Sequence, residues 1–355
     1  KSVLSFISVS PRRSLRSLSV PQFQRAAKVT MPSLPVAYED VMEALPRVRS
    51  VLKPTLLNEW SGLSELLDCQ YFVKHENHQP VGAFKIRGGI NLVSTLTEEE
   101  RSAGILGCST GNHGQSLAYA ARRFGVECTI VVPAGNNPGK CDAIRRLGAR
   151  LIEHGRDFDE ARAYVENELA QSGLRYVHSA NEPKLIAGVG SMAVEIFDDL
   201  PDPDVILVPI GLGSGVASTC IVAKHLRPET TIIGVQSEGA PAVAMSWKNS
   251  HIGTDYPCNT WAEGVATRVP AEMTLDIMNE LLDDVILVSD DEMRQAVYWL
   301  LEHTHNLAEG AGAATLAAAW KERSKFAGQK VVGVLSGGNL DLAQLPKILE
   351  LSHTL

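Results

Sequence analysis

The sequence predicts an α/β protein whose open, mostly parallel sheets are covered by helices on both faces. Two observations carry that prediction. From about residue 105 onward, short apolar runs alternate with longer helical segments, the pattern of parallel strands joined by helical crossovers. Three of these runs end in turns rich in glycine and small polar residues, at 109–114, 211–215 and 336–339. The totals agree. A chain of 355 residues has room for two domains, or for one large body with a smaller companion. Its 45% hydrophobic and 21% charged residues are ordinary for a globular enzyme.

Taken in order, the first thirty residues stand apart. They carry Lys1, Arg12, Arg13, Arg16, Arg25 and Lys28, many serines, and no acid before Glu39. That is the composition of an organelle transit peptide. The other reading makes Met31 the start and residues 1–30 a non-native extension; either way they are set aside from the fold. Localisation follows the choice: an intracellular, soluble protein, cytoplasmic if Met31 is the start, mitochondrial or plastid if the leader is genuine. Residues 36–51 read as a helix, stopped at Pro54. Residues 71–74 read as a strand, and 85–96 as a helix. Thr97 and the acids after it cap the next one. Then come strands at 105–109, 127–132, 150–153 and 176–178, with helices at 115–124, 140–147 and 157–172 between them. Residues 184–197 are helical, 205–210 a buried strand, 216–225 a helix and 231–236 a strand. Helices at 290–303 and 311–321 and a strand at 330–336 complete the pattern.

Several function classes are excluded. A net charge of −8 lacks the clustered positive charge that nucleic-acid binding needs. No apolar run reaches the roughly 18 residues expected of a membrane helix. The six cysteines are scattered, with no CxxC pair, which fits a reducing compartment and neither a disulfide frame nor a zinc site. His75 with His78, and His303 with His305, lack further ligands nearby and read as surface or core histidines.

Four stretches carry chemistry. Phe84-Lys85 follows a polar turn broken by Pro80 and Gly82, just where a helix begins. Lys85 is there either solvated or a reactive amine. Ser109-Thr110-Gly111-Asn112-His113-Gly114 precedes a helix, so its hydroxyls, amide and free backbone N–H groups suit a carboxylate; an ordinary helix cap is the simpler alternative. Gly211-Leu212-Gly213-Ser214-Gly215 follows a buried strand and suits a phosphate. It lacks the Lys-Ser/Thr ending of a nucleotide loop. Val216 replaces the third glycine of a dinucleotide fingerprint, but Glu238 after the next strand keeps a nicotinamide dehydrogenase in view. Ser336-Gly337-Gly338-Asn339 ends the last strand; it is a plain turn, or it places a hydroxyl against a ring nitrogen.

Lysine, carboxylate clamp, phosphate cradle and strand-end hydroxyl together fit a pyridoxal 5′-phosphate enzyme. The sequence resembles the threonine/serine dehydratase family of fold-type II, tryptophan synthase β-like enzymes, which also includes serine racemase. Eight stretches match in the family's order: 74–89, 109–121, 139–153, 185–196, 209–215, 263–268, 308–314 and 335–341. The resemblance implies two open, mostly parallel sheets. A large cofactor-binding domain would take residues 31–103 and 182–355, with a small mobile domain, 104–181, inserted in it. Lys85 would form the Schiff base with the cofactor, with Phe84 packed beside it. Asn112 would bond the cofactor's phenolic oxygen, and Gly211, Gly213, Ser214 and Gly215 its phosphate. Ser336 would face the pyridine nitrogen, where a neutral hydroxyl leaves the ring unprotonated. Ser109, Thr110, Gly111, Asn112 and His113 would hold the substrate.

The activity so implied is β-elimination from a small amino acid, L-threonine or L-serine, to 2-oxobutanoate or pyruvate and ammonia. The freed Lys85 amine would take the Cα proton. A serine racemase, with Thr110 standing where its second base lies, and a 3-hydroxyaspartate dehydratase are the alternatives with this cofactor; an idle amino-acid-binding protein is the non-enzymatic one. Glu238 matches a cation ligand of some relatives, but Ala244 stands at the expected second acid, so Glu238 alone is a weak Mg²⁺ or Ca²⁺ candidate. With so little chain after Ser336, no C-terminal regulatory domain of the kind in biosynthetic threonine deaminases is expected. A homodimer or homotetramer is expected, with no nucleic-acid or membrane partner.

Overall fold

The computed structural model describes residues 34–350, so the two readings of the leader lie outside the described part. Among the described residues ten strands form two sheets. The larger has six strands in the order β1-β2-β10-β7-β8-β9 and the smaller four in the order β5-β4-β3-β6. Their ranges are β1 Leu57–Glu59, β2 Gln70–His75, β3 Ile105–Cys108, β4 Cys128–Val132 and β5 Arg150–Glu153, then β6 Arg175–Tyr176, β7 Val205–Pro209, β8 Thr231–Ser237, β9 Asp284–Val288 and β10 Lys330–Leu335. Every pairing is parallel except β1 with β2. The expected class is therefore the observed one. The smaller sheet is drawn wholly from residues 105–176.

Sequence explains the layering. The central strands β7 and β10 are runs of Val, Ile and Leu, and nearly every residue in them is buried, as a sheet covered on both faces requires. The alanine-rich helix Gly310–Lys321 is buried along most of its length. Its small side chains let it pack closely against the sheet. The glycine pair of helix Ile86–Ser94 has the same use. A Cβ at Gly88 would lie 2.8 Å from Leu185, and one at Gly89 2.3 Å from the Ser116 hydroxyl. This helix is thereby wedged between helices Asn112–Phe124 and Pro183–Asp199. One apolar cluster, including Ile86, Ile90, Leu117, Ile130 and Leu185, runs through all three and onto the smaller sheet.

The differences from expectation have physical causes. The two site helices begin earlier than their apolar periodicity, at Asn112 and Ser214, so the polar residues Asn112, His113, Ser214 and Gly215 belong to first turns. Helix 157–172 is α-helical only over Phe158–Tyr164 and continues as a wider turn, Val165–Leu169, and a tighter one, Ala170–Ser172. Strand β1 has three residues, two of them polar and none fully buried, so no alternation announced it. Strand β9 and the helices Ala242–Asn249 and Glu272–Leu281 were likewise not expected.

Candidate active site

A cavity of about 380 Å³ opens beyond the carboxyl ends of β3, β7 and β10, where parallel sheets commonly bind ligands. Its lining contains Phe84, Lys85, the loop Ser109 to His113, Gly211, Gly213, Ser214, Gly215 and Ser336. Every predicted cofactor and substrate residue is thus in one place. Glu238 is elsewhere.

The Lys85 loop is clipped to the end of β10. Phe84 N–H donates to the Ser336 carbonyl at 3.0 Å, and Ala83 bridges to Gly337. Lys85 takes helical dihedrals as the residue just before helix Ile86–Ser94, and its carbonyl accepts the Ser116 hydroxyl at 2.6 Å. Its Nζ donates to Ser214 Oγ at 2.7 Å and sits 5.2 Å from the centre of the Phe84 ring. Burial, which disfavours the charged ammonium, lowers its pKa to about 8.

Behind the loop lies a charge network that sequence reasoning missed. Arg87 bonds Glu76 through Nε at 2.7 Å and Nη2 at 2.8 Å, and Glu195 through Nη1 at 2.7 Å and Nη2 at 2.6 Å. Lys74 Nζ reaches Glu195 at 2.8 Å, and Thr55 Oγ1 donates to Glu76 at 2.6 Å. The charged side chains are no more than 2% exposed. Burial alone would raise the Glu76 pKa, but the Arg87 guanidinium beside it holds the carboxyl below its ordinary value. Partners 108 residues apart leave no spacing signal in the sequence.

In front of Lys85, the first turn of helix Asn112–Phe124 presents its N–H groups, with Ser109 and Thr110 just before it. Asn112 is held on both sides. Its Nδ2 donates to Glu309 Oε1 at 2.6 Å, and its Oδ1 accepts from Asn339 Nδ2 at 2.8 Å. Asn339 also donates to the Val81 carbonyl, so the amide orientation is tied to the Lys85 loop. Glu309 stands just before the alanine-rich helix without capping it through its side chain, and burial raises its pKa. Neither ring nitrogen of His113 has a partner in hydrogen-bonding geometry, although the Val177 backbone is close enough to favour the protonated ring slightly. Burial, with Lys85 nearby, pushes this ring down to about 3, so it is neutral at pH 7.

The glycine turn supplies the floor. Gly213 has φ +96°, which admits glycine readily and few other residues. Ser214 and Gly215 open helix Ser214–Leu226, whose free N–H groups favour an anion. A Cβ at Gly211 would lie 2.5 Å from the Gly264 carbonyl oxygen, and one at Gly215 would touch the Phe84 ring at 3.4 Å.

Glu238, the weak cation candidate, instead accepts from Lys321 Nζ at 2.8 Å. That ammonium also meets the Leu287 carbonyl and Glu292. Among the described residues no group of three His, Cys, Asp or Glu side chains is placed to hold a metal ion. The histidine pairs have other partners: His75 accepts from Trp60 Nε1 at 3.0 Å and stacks on His78, and His303 lies 3.7 Å from Glu302. No helix among them is long and apolar enough to cross a membrane.

These residues fit pyridoxal phosphate on structural grounds. A buried lysine of lowered pKa, a helix N-terminus stripped of side-chain bulk and a strand-end hydroxyl, Ser336, line one cavity. Residues 48–337 match the family described as pyridoxal-phosphate dependent enzyme. The chain belongs to that family. This pyridoxal-phosphate enzyme is 36% identical over 314 residues to an L-threonine ammonia-lyase of Thermotoga maritima, covering 88% of the present chain and 78% of the relative. Its fold matches the processed threonine deaminase isoform 2 of Solanum lycopersicum with a TM-score of 0.83, at 30% identity over 92% of this chain and 99% of that one. It also matches a serine racemase of Dictyostelium discoideum, with a TM-score of 0.80 at 32% identity, covering 86% and 99% of the two chains.

Proposed function

We propose that this enzyme eliminates water from small β-hydroxy amino acids, L-threonine and L-serine, giving 2-oxobutanoate or pyruvate with ammonia. One observation carries the reading: the Lys85 amine, with its pKa lowered to about 8, lies in the same cavity as an anion-binding glycine turn and the Ser109–His113 loop. The names of the relatives point the same way.

Bound here, pyridoxal phosphate supplies an electron sink for the pair left behind when a Cα proton departs. The chain's own residues do the rest. Gly211, Gly213, Ser214 and Gly215 would hold the phosphate, Phe84 would pack beside the ring, Asn112 would bond the phenolic oxygen and Ser336 would face the pyridine nitrogen. Ser109, Thr110, Gly111 and His113 hold the substrate carboxylate with hydroxyls, backbone N–H groups and a neutral ring. Lys85 anchors the cofactor and then takes the Cα proton. A lysine in water, with a pKa of about 10.4, is protonated at pH 7 and useless as a base; burial brings this one within reach of neutrality.

Residues 104–181 form the body that closes over substrate in this reading. The ion pairs Lys140–Glu263 and Asp159–Arg268, which cross between that segment and the rest of the chain, support it. Slowed hydrogen exchange along 104–181 on adding substrate analogue is the expected sign. The family resemblance adds a homodimer or homotetramer, read by light scattering.

The deciding assay is 2-oxo acid formation from L-threonine by the cofactor-loaded enzyme. Oxo acid accumulates with the wild type, and Lys85→Ala lowers the rate by at least about a thousandfold without changing the melting of the cofactor-free protein by more than a few degrees. No oxo acid from either threonine or serine sinks the reading.

A further inference from the structure

The charges that line the cavity bear on which side chain a substrate can carry. Besides Lys85, the lining holds three cations, Lys140, Arg162 and Arg268, and four carboxylates, including Asp159, Glu263 and Glu309. None of the three cations is free. Arg268 lies 3.4 Å from Asp159 and Arg162 lies 3.5 Å from the same carboxylate. Lys140 matters most. Its stem runs beside the substrate loop, with Cδ 3.6 Å from where a Cβ on Gly111 would stand, and its ammonium is 2.6 Å from Glu263 Oε2. Lys140 is only 14% exposed, whereas Glu263 is 48% exposed. The cation beside the loop is thus neutralised by an acid at the mouth.

A substrate with a second carboxylate beside the loop would have to pull Lys140 from Glu263, leaving an unpaired acid next to a new anion. A hydroxymethyl or hydroxyethyl group meets no such opposition. We infer that the Lys140–Glu263 pair restricts the pocket to amino acids with uncharged side chains, and that Glu263, by masking Lys140, is the residue that rejects a β-carboxylate. This rests on the amino-acid-lyase reading above and deepens it. It also separates the threonine and serine reaction from the 3-hydroxyaspartate alternative, for which the sequence offered no residue to examine.

Binding tests it without any turnover. L-2-Aminobutyrate and L-aspartate match threonine and 3-hydroxyaspartate but carry no β-hydroxyl to eliminate. Calorimetric titration of the pyridoxal-phosphate-loaded wild type at low salt should find aspartate weaker than aminobutyrate by about tenfold or more. In Glu263→Gln the ratio should fall by about tenfold as Lys140 is unmasked. In the Lys140→Met/Glu263→Gln double variant it should return toward the wild-type value. Equal binding of both ligands by the wild type overturns the inference, as does a ratio unmoved in Glu263→Gln. A gain in aspartate binding that survives in the double variant overturns the assignment to Lys140. If neither ligand binds, the reading of the cavity as an amino-acid site fails and the inference falls with it. Aminobutyrate binding without discrimination sinks the inference alone. Thermal melts of each loaded variant confirm that the binding comes from folded protein.

Discussion

Two groups of ion pairs flank Lys85, and they differ in almost every physical respect. Behind it, Lys74, Glu76, Arg87 and Glu195 are sealed from water and joined by multiple short bonds, with Arg87 gripping two carboxylates at once. In front, Lys140–Glu263 is a single contact and Arg268 meets Asp159 and Asp157 at longer range, with members wetted to varying degrees. A buried charge is tolerable only while paired, because removing one partner strands the other in a medium that cannot solvate it. A half-wet pair contributes little, because water competes and salt screens it. The same chemical contact is therefore scaffold in one place and adjustable in the other. The rear group ties the start of helix Ile86–Ser94, immediately after Lys85, to the turn that follows β2 and to helix Pro183–Asp199. The front group spans the mouth and can rearrange at little cost.

That contrast is breakable. The largest effect should come from Arg87→Met, which leaves Glu76 and Glu195 facing each other across a gap bridged only in part by Lys74. A loss of roughly 3–5 kcal/mol in urea unfolding is expected; a loss under about 1 kcal/mol would put the rear group in the same class as the front one. A smaller effect should follow acidification. Glu76 has its pKa lowered in the folded state, so its contribution is complete above the ordinary carboxylate value of 4.5 and is lost as pH falls through the lower folded value. Wild-type stability should therefore drop as pH falls below 4.5, and more steeply than that of Arg87→Met. Equal slopes would show that the pairing does not hold the carboxyl down. The smallest effect belongs to Lys140→Met, expected to shift stability by about 0–1 kcal/mol and to lose even that in high salt. A shift as large as that of Arg87→Met would erase the distinction.

What was legible in the sequence was local. Lys85 follows an aromatic at a helix start, while the clamp loop at 109–114 and the glycine turn at 211–215 each sit at a strand end, and backbone rules alone make such strand ends candidate ligand sites. Their helices start two or three residues sooner than apolar spacing suggested, because helical hydrogen bonding begins with polar first-turn residues that periodicity ignores. Glu309 lies within the matching stretch 308–314 and Asn339 within the turn at 336–339, yet nothing local shows their joint hold on Asn112, since neither lies near it in the chain. Glu238 is a cation-ligand candidate only through its match to family relatives; the fold gives it Lys321 instead, a partner 83 residues away.

The sequence by itself determined the class of sheet, the lysine, and the loops fit to hold a phosphate and a carboxylate. These depend on hydrogen-bonding patterns within a few residues of each other. Only the tertiary structure decided which charges are buried together, which way the Asn112 amide is turned, and which acid neutralises Lys140. Each depends on at least one interaction between side chains more than a hundred residues apart, and its strength depends on the water that the packed chain has excluded.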